Sequence, residues 1–364
     1  MKKNIKRLTL KDISDRLGVS TATISNAFNR PDQLSAELRE NILKECEKMG
    51  YFGPNAAARS LRTGRTGIVG VVLSDVLSYS LTDPVANQFL TGIGEVLEKN
   101  GYNMLLLSTQ DSEKGTNSRM QSSMVDGFIV YGDRPRHCKN APWLQPNQNV
   151  ITVDSLIPGT THVNVQNFDG AYKIASHALK FAPKNIAILG LNLIDTDRVC
   201  RVNLDEMFDA EGSISVQRLQ GYIAAFEEAE TPMPYDHLWN VPTNDHRLAY
   251  QAAKEALSLR ERPNLILCMS DRIALAAVQA ALHMGFRVPE DLHIVGFDGI
   301  AESENFHPSI TTMHQQSVEK GRIAAELFLG LREAKDVMMS TELVVRETCP
   351  PLSAFEPSLV ERVV

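Results

Sequence analysis

Polar residues stand where the chain's apolar runs stop. Asp75 follows "VVLS", Asp154 follows "VITV", Asn244 follows "VPT", Ser270 and Asp271 follow "LILCM", and Asp298 follows "IVGF". Arg218 opens the stretch "RLQGYIAAF". Carboxylates, an amide, a hydroxyl and one guanidinium fork are groups that bind hydroxyls. Together they suit a polyhydroxylated or otherwise polar small molecule. An isolated Asp at such a place serves equally as a helix cap or loop residue, and Asp271 is the plainest example. Tyr79, in "LSYSLTDP" after Asp75, offers a ring for a ligand to stack on.

A different chemistry gathers near the start. Residues 1–66 hold 13 Lys and Arg against 7 Asp and Glu, a balance of +6, whereas the remainder holds 24 against 37, a balance of −13. A basic head on an acidic body suggests that the head alone meets a polyanion, although a solvated lysine-rich terminus has the same composition. Between the two lies "PNAAARSLRTGRTGIVG" from Pro54 to Gly70. Pro54 suits a first helical turn and nothing breaks a helix before Arg62, yet such a helix is too short to hold alone in water. Its one large apolar side chain, Leu61, is set between Arg59 and Arg62.

The elements that position these residues are legible from periodicity. In "TLKDISDRLGVSTATISNAFN", Thr9 can cap a helix carrying Leu10, Ile13 and Leu17 on one face, ended by Gly18. Ser20 can cap a second helix that buries Ile24 with Ala27 or Phe28. Its other face carries Thr21, Ala22, Ser25 and Asn26, with no long stem to block a groove. Ser35 starts a third helix with Leu38, Ile42, Cys46 and Met49 inward, ending at Gly50. Two short helices joined at a glycine and braced by a third can set a recognition helix into the major groove; a small protein-contact bundle is the alternative.

From Ile68 onward, apolar runs such as "IVGVVL", "NMLLLST", "GFIVYG", "NVITVD", "NIAILG", "LWNVP", "NLILCMS" and "HIVGFDG" alternate with helical patterns at 85–99, 169–181, 216–229, 246–259, 271–284 and 317–332. That alternation predicts parallel sheets with helices on both faces, in more units than one small sheet holds. Ligands of such sheets sit beyond the carboxyl ends of the strands, where the polar residues fall.

The combined motif of "TLKDISDRLGVSTATISNAFN", Gly50–Tyr51 and "PNAAARSLRTGRTGIVGVVLSD" resembles the lactose repressor/galactose repressor family, and the resemblance extends along the chain. It implies an all-α helix-turn-helix domain at 1–53, a hinge helix and linker at 54–66, and a two-lobed, periplasmic-binding-protein-like α/β body at 67–364. Lobe one would take 67–166 and 315–334, and lobe two 167–314 and 335–364. Thr21, Ala22 and Asn26 fall on the family's base-reading positions. Many relatives carry arginine where this chain has Asn26, which can face adenine rather than fork onto guanine. Ser20, Thr23 and Ser25 suit phosphates; Thr9, Asn29 and Tyr51 complete the expected DNA-facing set. The resemblance makes 54–62 a hinge that folds on the operator, with Asn55, Ala58 and Arg59 in the minor groove and Leu61 wedged between base steps. It also makes Arg218 and Asp298 effector contacts and sets Ser270–Asp271 where relatives carry an Asn-Asp pair.

"GLNLIDTDRVCRVNLDEMFDAEGSISVQRLQGY" is longer than its counterpart in many relatives and carries Asp195, Asp197, Arg198, Arg201 and Asp205. A solvated insertion is the expected reading, a ligand lid the alternative. Five scattered cysteines without CxxC spacing argue against zinc or a disulfide framework and for a reducing cytoplasm. No GxSxG, P-loop or HExxH occurs, the third glycine of a dinucleotide fingerprint is missing after Gly92 and Gly94, and no cofactor is expected. No membrane span or signal peptide is seen, which with the basic head argues against the rival reading of a secreted solute receptor. The expectation is a homodimeric regulator that binds a pseudo-palindromic duplex operator and answers to a small polar, sugar-like effector.

Overall fold

The computed structural model describes residues 8–53, 64–108, 125–132, 148–202, 204–207 and 213–352. The chain divides into two compact units, with the break between Ile68 and Val69. The expected hinge residues Asn55, Ala58, Arg59 and Leu61 lie outside the described residues.

The first unit holds α1 (Leu10–Leu17), α2 (Thr21–Asn29) and α3 (Ala36–Lys48). Each start is fixed locally. Thr9 and Asp12 close a reciprocal capping box on α1, Ser20 accepts from the Thr23 N–H, and Ser35 accepts from the Leu38 N–H. Gly18 ends α1 at φ 66°, a left-handed backbone that glycine adopts at least cost. Ile13, Ile24, Ala27, Ile42, Cys46 and Tyr51 make the small core. Leu38, expected inward, is 39% exposed: it sits in the first turn of α3, beyond the reach of that core.

The second unit carries two mainly parallel sheets. The first has the order β12-β5-β4-β3-β1-β2, formed by β1 (Ile68–Leu73), β2 (Asn103–Ser108), β3 (Phe128–Tyr131), β4 (Val150–Val153), β5 (Thr161–Val165) and β12 (Val337–Met339). The second has the order β10-β9-β6-β8-β7, from β6 (Ile186–Leu191), β7 (Cys200–Arg201), β8 (Leu238–Val241), β9 (Leu265–Cys268) and β10 (His293–Val295). A short antiparallel pair, β11 (Thr312–His314) and β13 (Glu342–Val344), joins the connections between them.

A short α4 (Leu77–Ser80) precedes α5 (Pro84–Lys99), which packs with α11 (Ser317–Leu329) beside the first sheet. Here Gly92 and Gly321 have a structural use: a Cβ on Gly92 would lie 1.9 Å from the Val318 carbonyl oxygen, and one on Gly321 2.1 Å from that of Phe89. The second sheet carries α6 (Asn167–Leu179) and α7 (Ile214–Glu228) against one hydrophobic cluster, and α8 (His246–Leu257) and α9 (Asp271–His283) against another. The remaining helix, α10 (Ala301–Asn305), is one turn long.

Two expectations change. Residues 335–364 were expected in lobe two, but β12 pairs parallel with β5, so 337–339 belong to the first sheet. The long segment before α7 is more than solvated loop. Leu193, Ile194 and Val202 enter the core, and β7 pairs antiparallel with β8 at the sheet edge. Asp195, Asp197 and Arg198 remain outside.

Candidate functional site

In the first unit, α2 presents the expected residues in two groups. Thr21 and Ala22 are exposed on its first turn, and Ser25 and Asn26 are half-buried one turn on. Ile24 and Ala27, on the opposite face, are wholly buried. Ser20 and Thr23 hydroxyls bond each other at 2.8 Å while Ser20 caps the helix, placing both at an N-terminus that favours anions. Asn29 donates to the Ser25 carbonyl at 3.0 Å, and Thr9 is exposed beside Asp12. Tyr51 departs from expectation. It is buried with its ring edge-on to Phe28 at 5.8 Å, so it braces the core under α2 rather than facing outward.

In the second unit, the strand ends bring two sets of polar groups together. From the second sheet, Arg218 on α7 is buried and donates to the Asn167 side chain at 3.0 Å and to the Met269 carbonyl at 2.5 Å. Its guanidinium lies 3.7 Å from the centre of the Phe297 ring and 3.5 Å from Asp298 Oδ1. Burial pushes the Asp298 carboxyl up to about 8, against the lowering effect of Arg218, and Asp271 and Asp83 raise it further. From the first sheet, Asp154 accepts from Lys320 Nζ at 2.5 Å. Asp154 and Asp298 both hold positive φ, 56° and 131°, a strained backbone for non-glycine residues that gathers at working sites.

The two lobes meet at Asp83 and Arg272, 3.8 Å apart. Asp83 caps α5 through the Ala86 N–H, and its carboxyl is raised by burial against the lowering effects of that bond, Arg272 and Asn244. Asp75 stays open to solvent, yet surrounding protein and then the charge of Asp83 raise its carboxyl. Tyr79, half-buried on α4, has its phenol raised by burial, then by Asp83 and Asp75. Asn244 is buried and accepts from the Ser270 hydroxyl at 2.6 Å.

Two expected contacts turn inward. Ser270 caps α9 through the Ile273 N–H while donating to Asn244, so its hydroxyl is spent on positioning. Asp271 is wholly buried and accepts from the Thr312 hydroxyl at 2.5 Å and from the Gly299 and Ile300 N–H groups at 2.9 and 3.0 Å. It therefore shapes the loop that carries Asp298. Conversely, Asp83, Arg272, Asn167, Gln315 and Lys320 join the site without a sequence signal. Asp83 reads as a cap before Pro84, and Lys320 in "SVEKGR" reads as part of a solvated charged face.

Comparison with known proteins agrees with both units. A model of bacterial regulatory proteins of the lacI family matches residues 9–55, and one of a periplasmic binding protein-like domain matches 184–349. An HTH-type transcriptional regulator of Mycobacterium tuberculosis is 32% identical over 360 residues, covering 95% of this chain and 98% of its own. Among solved structures, the lac repressor dimer bound to operator and the anti-inducer ONPF aligns with a TM-score of 0.74 at 20% identity, over 95% of this chain and 100% of its own. The regulator CelR in complex with cellobiose aligns with a TM-score of 0.63 at 22% identity, over 94% and 100%. No helix of the described residues is long and apolar enough to cross a membrane. The relatives are transcription regulators rather than enzymes, and the chain belongs to the lacI family of bacterial regulatory proteins: a helix-turn-helix DNA-binding transcription regulator with a periplasmic-binding-protein-like ligand domain.

Proposed function

We propose that the protein is a repressor that binds a pseudo-palindromic operator as a homodimer and releases or tightens its grip when a small polar effector enters the cleft between its lobes. The observation that carries this reading is the convergence of Asp83 and Asp154 from one lobe with Arg218, Arg272, Asn244 and Asp298 from the other. A ligand held by both sets stabilises one arrangement of the lobes, and differential affinity for two arrangements is what links a remote site to DNA.

On the operator side, Thr21, Ala22 and Asn26 read bases, with Ser20, Thr23, Ser25, Thr9 and Asn29 on the backbone. A single short helix gives little specificity, so two copies on symmetric half-sites are required. Pro54–Arg62 acts as the hinge, with Leu61 as its wedge. The structures of CelR with cellobiose and of the lac repressor dimer on its operator supply the analogy.

Selection of binding sites from random duplexes with the full-length protein tests the first half, and a thermal-shift screen of sugars, polyols, sugar phosphates and nucleobases tests the second. A recovered palindrome whose affinity changes with a screened metabolite is the expected result; recovery of no preferred sequence under any metabolite overturns it. Operator affinity is also expected to fall linearly on a log–log plot against salt, because bound Lys and Arg displace counterions, and a flat plot contradicts phosphate contact.

A further inference from the structure

We propose that Lys320 is a specificity-determining residue of the cleft: it holds Asp154 as a fixed hydroxyl acceptor, ties it through Gln315 to Asp298, and so selects an uncharged polyhydroxylated ligand over its phosphorylated form. This rests on the reading of the cleft as the effector site.

Lys320 lies on α11 with no side-chain exposure. A lysine so placed is costly unless its ammonium is paired and hydrogen-bonded, and an apolar residue would fill the same space at lower cost. Nζ donates to Asp154 Oδ2 at 2.5 Å and to Gln315 Oε1 at 3.0 Å, 5.8 Å from the centre of the Tyr131 ring. Gln315 passes the connection on, its Nε2 donating to Asp298 Oδ1 at 2.7 Å. Gln315 stands between β11 and α11, where the chain passes from one lobe to the other. One buried lysine thus joins the carboxylate at the end of β4 to the carboxylate beyond β10.

The remaining polar atoms indicate the ligand. Asp154 Oδ1 is buried without a hydrogen-bond partner among the described residues, and so is Asp83 Oδ1. The Tyr131 phenol is pushed well above its ordinary value by burial and then by the nearby Asp154, Asp83 and Asp298. Among the described residues, three cations of the cleft face carboxyl groups: Lys320 at Asp154, Arg218 at Asp298 and Arg272 at Asp83. A ligand hydroxyl that reaches the Oδ1 atoms of Asp154 and Asp83 donates to them with no charge added. A phosphate brings negative charge against the Asp154 and Asp83 carboxylates, whose counter-cations are committed.

Titration calorimetry on the full-length protein tests this, with glucose, ribose, sorbitol and inositol each set against its own monophosphate, and with adenine and glutamate as probes of other chemistry. A neutral polyol is expected to bind, its monophosphate about tenfold or more weakly. Lys320→Met is expected to weaken the neutral ligand about tenfold, with part of the loss restored in Lys320→Arg. Asp154→Asn removes the ammonium's counter-charge while Gln315 still accepts from it, so the ratio of the two affinities should move toward the phosphorylated ligand, a shift that a purely structural role does not produce. If Lys320→Met melts below the assay temperature, the charge-balanced double replacement with Asp154→Asn carries the same test of neutral binding.

Equal affinity for a polyol and its monophosphate overturns the proposal. So does an unmoved ratio in Asp154→Asn, unchanged neutral binding without Lys320, or the binding of no polyol at all. Binding of adenine or glutamate instead overturns the proposal while leaving the cleft as an effector site; silence from every probe counts against both.

Discussion

On α2, Thr21 and Ala22 face solvent while Ile24 and Ala27 are wholly buried, so the surface proposed to meet DNA is the one the small core leaves outside. In the cleft the order is reversed. Arg218, Asn244, Asp154, Asp298 and Lys320 are all buried, and each is held by partners from other elements. A polyanion the size of a duplex is reached by exposed side chains with little preparation. A small ligand is held by groups whose desolvation has already been offset by internal partners. The comparison teaches that the two sites fail in different ways: the head tolerates loss of a contact, whereas the cleft does not tolerate loss of a partner.

The largest effect is expected in the cleft. Arg218→Ala leaves Asp298 without its guanidinium, and effector affinity should fall about a hundredfold or more, with operator binding retained in the absence of effector. Operator binding with and without ligand checks this, and a normal response removes Arg218 from the site.

Leu61→Ala should weaken specific operator binding about tenfold while sparing nonspecific duplex, since only the bent site uses the wedge. Competition against nonspecific DNA measures the difference, and equal loss of both breaks the wedge assignment. An effect of similar size, confined to one base position, follows on the recognition helix. Asn26→Ala should cost about 1–3 kcal/mol at one position per half-site and relax its base preference, read by repeating the binding-site selection. An unchanged profile moves Asn26 off the recognition surface.

The last test is a pH dependence of stability rather than of binding. The Asp298 carboxyl stands at about 8 when folded against 3.8 as a free side chain. The folded protein therefore keeps a proton that the unfolded chain has lost, so stability falls as pH rises from roughly 4 to 8 and levels off above. Asp298→Asn should remove that part of the slope in thermal melts across the window. A slope identical in both proteins contradicts the assignment.

Much of the fold is legible because its signals are short-range. Thr9, Ser20 and Ser35 cap helices by bonding an N–H three residues on, and Gly18 ends one by its own φ. Continuous apolar runs mark β1, β4, β6 and β9, since such strands are covered on both faces. The strands without that signal are β5, whose "THVNV" alternates, and the short β7, β11, β12 and β13, which have only two or three residues each. Pairing, not composition, makes them strands. The strand-end rule pointed to Asp75, Asp154, Asn244 and Asp298 as candidates, and the resemblance singled out Arg218. The sequence set Asp271 apart as the plainest cap or loop residue, but that its carboxylate holds Thr312, Gly299 and Ile300 is decided by neighbours distant in sequence.

Local propensity and periodicity, which act within a few residues, determined from sequence alone that a three-helix head precedes an alternating strand–helix body. Tertiary structure alone decided that Tyr51 is a brace, that the segment before α7 builds a sheet edge, and that Asp83 meets Arg272 across the lobes. It also decided that Lys320 is buried against Asp154, a partner 166 residues away. The burial of a charge depends on what stands opposite it, and that is set by long-range packing which no window of sequence contains.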